Sequence, residues 1–224
     1  MAIILSIETS TSVCSAALHE NGKIVEVKEL FTPQSAASQL APLIEDIFSS
    51  AKISKQAINA IAVSSGPGSY TGLRIGVATA KGLCYGLDVP LIAIDSLLVL
   101  ASTVNDIAKT DLLCPMIDAR RMEVYCSLFT TSLDAIEPTQ AKIIDSESFS
   151  EQLSSHSILF FGDGAAKCKS TLNHPNAVFF EDVYLSAKNM GNIAFQKYLG
   201  GKFEDMTLFE PNYLKEFIAK TKLT

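Results

Sequence analysis

Apolar and polar positions along the first half alternate in short blocks. Ala2–Ile7 is a short apolar run, the pattern of a buried strand. Thr9–Ser12 is a polar turn, and Val13–His19 predicts a second strand. Asn21-Gly22 lies between two strand-like runs, which is a strong hairpin signal because a tight primed turn needs positive φ. Lys23–Leu30 completes an antiparallel three-strand meander. Pro33 breaks the pattern, and a helix is expected from Ser35. Along it Leu40, Leu43, Ile44, Ile47 and Ala51 form one apolar stripe. Ala60–Ser64 reads as a buried strand, Ser65–Ser69 as a loop and Thr71–Gly86 as a second helix. Leu91–Ile94 reads as a strand, and a third helix starts at Ser96, covered by Leu97, Leu98, Leu100 and Ala101.

A polar stretch at Asn105–Thr110 marks a domain boundary, dividing the chain into residues 1–104 and 105–224. Beyond it Leu112–Ala119 and Glu123–Phe129 predict two strands joined by an Arg120-Arg121 turn, with a short third at Lys142–Ile144. A short helix at Glu147–Leu153 and a strand at Ser157–Phe161 follow. Next come a helix at Ala165–Leu172, a strand at Ala177–Phe180 and a long helix at Leu185–Leu199. Both halves read as α/β units of βββαβα order, a duplicated arrangement. The tail after Gly201 is left open to packing back on the first domain.

Composition narrows the class. The chain has 224 residues, 48% hydrophobic and 19% charged, enough apolar material for a packed core. A net charge of −6 and the lack of a basic run beyond Arg120-Arg121 argue against tRNA binding by this chain alone. The five cysteines show no CxxC pair and read as buried, reduced thiols of a cytoplasmic protein. The opening MAIILSIE lacks the basic region and cleavage site of a signal peptide, and no apolar run reaches membrane-spanning length.

The loop Ser64-Ser65-Gly66-Pro67-Gly68-Ser69-Tyr70-Thr71-Gly72-Leu73-Arg74 joins a strand to a helix. Its glycines allow unusual backbone angles, and exposed amides at a helix start can hold an anion. A tight turn capped by Ser69 or Thr71 accounts for it equally. Gly72, Gly76 and Ala80 are spaced four apart, so one helix face is nearly bare. The sheet beneath or another chain could cover that face. Arg74 and Lys81 point elsewhere. Ile7-Glu8-Thr9-Ser10-Thr11-Ser12 is either a self-satisfied Ser/Thr turn or an anion cradle. Met116–Tyr125 around Asp118 could be its counterpart or a charged hairpin tip, and Gly162-Asp163-Gly164 is a weak turn signal. His19, His156 and His174 are scattered without metal spacing, and no nucleophile–base pair stands out. No catalytic residue, metal site or cofactor is assigned.

Four stretches together resemble the TsaB family, also called YeaZ: IETSTSVCSAAL, SSGPGSYTGLRIGVATAKGL, IDARRMEVY and the late EPNYLK, where Lys215 replaces the family's Arg. The resemblance implies an actin-like ATPase fold (ASKHA, ribonuclease H-like) in two domains. It implies a non-catalytic role in making threonylcarbamoyladenosine on tRNAs that read codons beginning with A. The partners implied are a TsaD-like catalytic paralogue and a TsaE-like ATPase, with a homodimer when alone and tRNA met only through the complex. Glu8, Thr9, Ser10, Thr11, Asp118, Gly162, Asp163 and Gly164 then mark vestigial nucleotide or phosphate turns. The metal-binding His-x-x-x-His of TsaD proteins falls on Ser96 and Leu100, which cannot replace imidazoles. Leu40, Leu43, Ile44, Ile47, Gly72, Leu73, Arg74, Gly76 and Ala80 are the expected partner interface, as part of a four-helix bundle. The alternative is a catalyst, an ATP-hydrolysing actin-like enzyme or a glycopeptidase.

Overall fold

The computed structural model describes residues 1–32 and 36–215. Strands β1 (Ile3–Glu8), β2 (Cys14–Glu20) and β3 (Lys23–Leu30) form the antiparallel meander read from the sequence. Asn21 at φ 49° and Gly22 at φ 83° make the tight turn, as a primed turn requires. β4 (Ala60–Gly66) pairs parallel to β1, and β5 (Leu91–Asp95) parallel to β4. Helices α1 (Ala36–Ala51), α2 (Tyr70–Leu87) and α3 (Ser96–Ala101) complete the first half. Pro33 and Ser35, expected at the helix start, lie outside the described residues.

The second half holds β6 (Leu112–Asp118), β7 (Glu123–Thr130), β8 (Ala135–Ile143), α4 (Ser150–Ser155), β9 (Ile158–Phe161), β10 (Ala177–Phe180) and α5 (Gly191–Leu199). The first sheet runs β3-β2-β1-β4-β5, and the second runs β8-β7-β6-β9-β10. The two orders are the same, so the duplication expected from the element pattern is present in the topology.

Three stretches differ from the sequence reading. β8 is nine residues long, where only Lys142–Ile144 looked strand-like. Its Pro138 and mixed polarity hide it, but it is an edge strand, where proline costs no ladder bond. Between Ala165 and Leu172 only the 3₁₀ turn Ala166–Cys168 forms, in a stretch rich in Ser, Thr and Lys. The segment expected as one helix from Leu185 divides into a 3₁₀ turn (Ala187–Met190) and α5. The break falls at Gly191, where a Cβ would come within 2.3 Å of His19 and 2.5 Å of Gly22 O. This segment packs on β1, β2 and β5, so the chain returns to the first sheet well before Gly201.

The core has three parts. One lies on the outer face of each sheet, and the third joins them. In the joining cluster α3 sits between the sheets, with Leu97 and Leu100 sharing one core with Leu113, Ile117 and Phe161. All five cysteines are free and buried.

The expected interface residues are mostly internal, which corrects that assignment. Leu40, Leu43, Ile44 and Ile47 are at most 5% exposed and pack with Phe48 into the outer core of the first sheet. Burying a side chain of that size contributes roughly 1.5–3 kcal/mol, so the stripe is claimed by the chain's own sheet. Leu73 and Ala80 are buried too. Gly72 is bare because the β1–β2 hairpin lies on it: an added Cβ would fall 1.9 Å from Thr9 O. A Cβ at Gly76 would meet Thr9 Oγ1 at 2.3 Å. Of the nine residues named, only Arg74 is exposed.

Candidate functional site

A cleft of about 990 Å³ opens between the two sheets. Its first wall is the β1–β2 hairpin (Thr9–Ser12) with the loop and first turn of α2 (Gly68–Gly72). Its second wall is the β6–β7 hairpin (Asp118–Arg120) with Asp163. The fold therefore brings Thr9, Ser10, Thr11, Asp118 and Asp163 to one place, although they are far apart in sequence. The twofold repeat of strand order explains why: each hairpin follows the central strand of its own sheet.

On the first wall, the polar groups serve the chain itself. Glu8 is fully buried at the end of β1 and accepts from Ser10 N (2.5 Å), Ser10 Oγ (2.6 Å) and Ser64 Oγ. Burial pushes its carboxyl up to about 7, against the pull of the Ser10 hydrogen bonds. Thr9 Oγ1 donates to Gly72 O at 2.7 Å, and Ser69 N donates to Ser10 O at 2.6 Å. Gly66 has φ 102°, a backbone angle that favours glycine, while Ser69 caps α2 by accepting from Gly72 N. The hairpin and the glycine loop thus hold each other.

On the second wall, Asp118 N donates to Asp163 Oδ1 at 2.9 Å, while Asp118 Oδ1 accepts from Arg120 N and pairs with Lys167. Burial raises the Asp163 carboxyl, opposed by that bond from Asp118 N. Gly162 has φ 99°, and Gly164 N donates to Met116 O at 3.0 Å, so the Gly-Asp-Gly turn packs on β6. Arg120 and Arg121 both adopt positive φ at the hairpin tip. Glu8, Thr9, Ser10, Asp118 and Asp163 are thus each engaged within the chain. No chemical step is assigned to the cleft.

Ser96 and Leu100 are buried, and Ser96 Oγ has no hydrogen-bond partner among the described residues. Also among the described residues, no cluster of three His, Cys, Asp or Glu side chains could hold a metal ion. His19 is a core residue, its ring between Ser6 Oγ (3.1 Å) and Lys188 O (3.2 Å). No described helix is long and apolar enough to cross a membrane.

One feature was not singled out from the sequence. On the outer side of α2, Ala78, Gly82 and Gly86 are exposed, and Tyr85 is 85% exposed. A Cβ at Gly82 or Gly86 would meet nothing within 4 Å. This is a second stripe of small residues at fourfold spacing. The signal that separates the two stripes is the company they keep: Leu73, Val77 and Cys84 share the side of Gly76 and Ala80. Lys215, read from the sequence only as the residue replacing the family's Arg, lines the cleft from the late EPNYLK stretch.

Fold and cleft together define a two-domain actin-like α/β protein. A family described as "TsaD: tRNA N6-adenosine threonylcarbamoyltransferase" matches residues 31–222. The tRNA threonylcarbamoyladenosine biosynthesis protein TsaB of Escherichia coli strain K12 is 30% identical over 227 residues, covering 98% of this chain and 97% of that protein. The chain belongs to the TsaB family, also called YeaZ. Among solved structures, YeaZ from Pseudomonas aeruginosa has a TM-score of 0.80 at 23% identity, covering 96% of this chain and all of the other. The activator of the 2-hydroxyisocaproyl-CoA dehydratase from Clostridium difficile, with bound ADPNP, has a TM-score of 0.51 at 10% identity over 91% of this chain and 98% of the other. These two show the shared fold.

Proposed function

We propose that this chain is a non-catalytic subunit of tRNA threonylcarbamoyladenosine biosynthesis. It acts by docking on a TsaD-like paralogue, with a TsaE-like ATPase joining and tRNA met only through the assembly. In isolation the chain forms a homodimer through the same surface. The setting is the cytoplasm. The reading is supported by the names of the relatives and by one structural observation, the outer face of α2. Ala78, Gly82 and Gly86 allow another helix to come close, and Tyr85 beside them supplies a large amphipathic anchor. α1 lies alongside α2 and presents Ala41, Pro42 and Glu45 outward, so two helices per subunit are available for a bundle. The contact residues are therefore the outward positions of the same two helices first read as the interface, with Arg74 retained from the original set.

The engagement of Glu8, Asp118 and Asp163 within the chain supports binding over catalysis. An ATP-hydrolysing reading keeps one observation in its favour, the gathering of Asp118 and Asp163 at a cleft. Calorimetric titration of the isolated chain with ATP and magnesium separates the two: micromolar affinity with turnover supports the enzyme. The docking reading is tested by co-purification with the TsaD-like paralogue. Gly82→Gln and Tyr85→Glu, both on exposed positions, are expected to lose the complex. Undiminished capture of the paralogue by both variants contradicts it.

A further inference from the structure

The chain beyond α5 runs along the first sheet and then across the mouth of the cleft. Glu204 N donates to Leu91 O at 2.9 Å, bridging to the edge strand β5. Met206 and Phe209 pack against the outer core of the first sheet. Asn212 N donates to Ser65 O at 2.7 Å, and Asn212 O lies over Gly66, where a Cβ would come within 2.7 Å of it. The glycine loop is thus shaped to admit this backbone. One residue on, the Tyr213 ring packs on Tyr70 with centroids 4.7 Å apart, at the first turn of α2. Two residues further, Lys215 pairs with Glu123, the first residue of β7 in the other half. The Glu123 side chain is 19% exposed, against 64% for Glu181 in the surface pair with Lys169, so the Lys215 pair is the better shielded of the two.

We propose that residues 204–215 form a strap that latches the cleft. Tyr213 fastens it to the wall of the first half and Lys215 to the wall of the second, so the two contacts fix the spacing of the sheets. Opening the cleft breaks one of them. The inference needs no partner and is independent of the docking surface. It gives the EPNYLK stretch a mechanical role, in which aromatic and cation stand two residues apart because the strap must reach both walls.

The test is made on the full chain carrying nitroxide labels at Ser50→Cys on α1 and Glu151→Cys on α4. Both positions are exposed, while the native cysteines are buried. Pulsed electron resonance on the parent is expected to give one narrow distance distribution. Lys215→Glu and Tyr213→Ala should each broaden it and speed exchange of the Asn212 amide roughly threefold to tenfold, the scale of one partly shielded ion pair or aromatic pair. The swapped pair Glu123→Lys with Lys215→Glu should restore the narrow distribution. If Tyr213→Ala fails to fold, the two charge variants decide. A parent-like distribution with unchanged Asn212 exchange in Lys215→Glu, or no restoration in the swapped pair, overturns the latch.

Discussion

The two halves share a strand order but differ in their helical layers. Between its third and fourth strands the first half builds α1, of 16 residues, and between its fourth and fifth α2, of 18. At the same places the second half builds α4, of six residues, and a 3₁₀ turn of three. Both layers deliver a turn to the cleft: the glycine loop before α2, and Gly162-Asp163-Gly164 before the 3₁₀ turn. A few residues suffice for that task, as the second half demonstrates. The extra length of α1 and α2 is therefore not needed to shape the cleft. It provides an inner face that seals the first sheet and an outer face with Gly82, Tyr85 and Gly86. The asymmetry between the halves is the physical basis for assigning docking to one half only.

The largest expected effect compares glycines at corresponding turns. A Cβ at Gly72 would lie 1.9 Å from the backbone oxygen of Thr9, while at Gly164 the nearest atom, Ile117 C, is 2.9 Å away. Gly72→Ala should cost about 3–4 kcal/mol in urea unfolding, and Gly164→Ala about 1–2 kcal/mol. Equal costs would show that the first hairpin is not held more tightly than the second.

The acids of the two hairpins offer the next comparison. Glu8 has its carboxyl raised by burial to about 7 from an ordinary 4.5. A raised acid favours the folded state while protonated. Its contribution is fully present below pH 4.5 and is lost as pH rises towards 7, a fall on the order of 2–3 kcal/mol. Buried His19, whose imidazole is held below its ordinary value by desolvation, acts in the opposite sense, its contribution lost as pH falls. Comparing the parent with Glu8→Gln at each pH removes the histidine term, and the difference should shrink from pH 4.5 to 7. Asp118, whose side chain is 46% exposed and paired with Lys167, should lose under about 1 kcal/mol on replacement by Asn. A constant difference for Glu8→Gln would mean that this carboxyl is not desolvated.

The smallest effect has the opposite sign. Gly82 is an exposed residue within α2 with open space around it, so Gly82→Gln should raise the stability of the monomer, measured at dilutions where the homodimer has dissociated, by about 0.5–1 kcal/mol. A thermal melt checks it, and a loss would mean that the position is already covered.

Much of the fold was legible because its strands are short apolar runs bounded by Gly, Asn and Pro. The hairpin at Asn21-Gly22, the strand Lys23–Leu30 and the strand Ala177–Phe180 match the structure residue for residue. β8 was largely hidden because an edge strand with one exposed face needs no apolar alternation, and Pro138 imitates a loop. The residues of the cleft were legible as motifs. Their mutual engagement was not, since it depends on the approach of Thr9 to Gly72 and of Asp118 to Asp163, across 63 and 45 residues of sequence. The buried stripes were read as an interface for a related reason. A stripe of small residues says that something comes close, and only the tertiary structure says that for Gly72 and Gly76 the neighbour is the chain's own hairpin.

Hydrogen–deuterium exchange of the chain, as the monomer at high dilution and saturated with the TsaD-like paralogue, tests the division of labour most directly. Slowed exchange confined to α1 and α2, with no change over Ala135–Phe180, is the expected result. Protection spread over the second half, or none on α2, would contradict it.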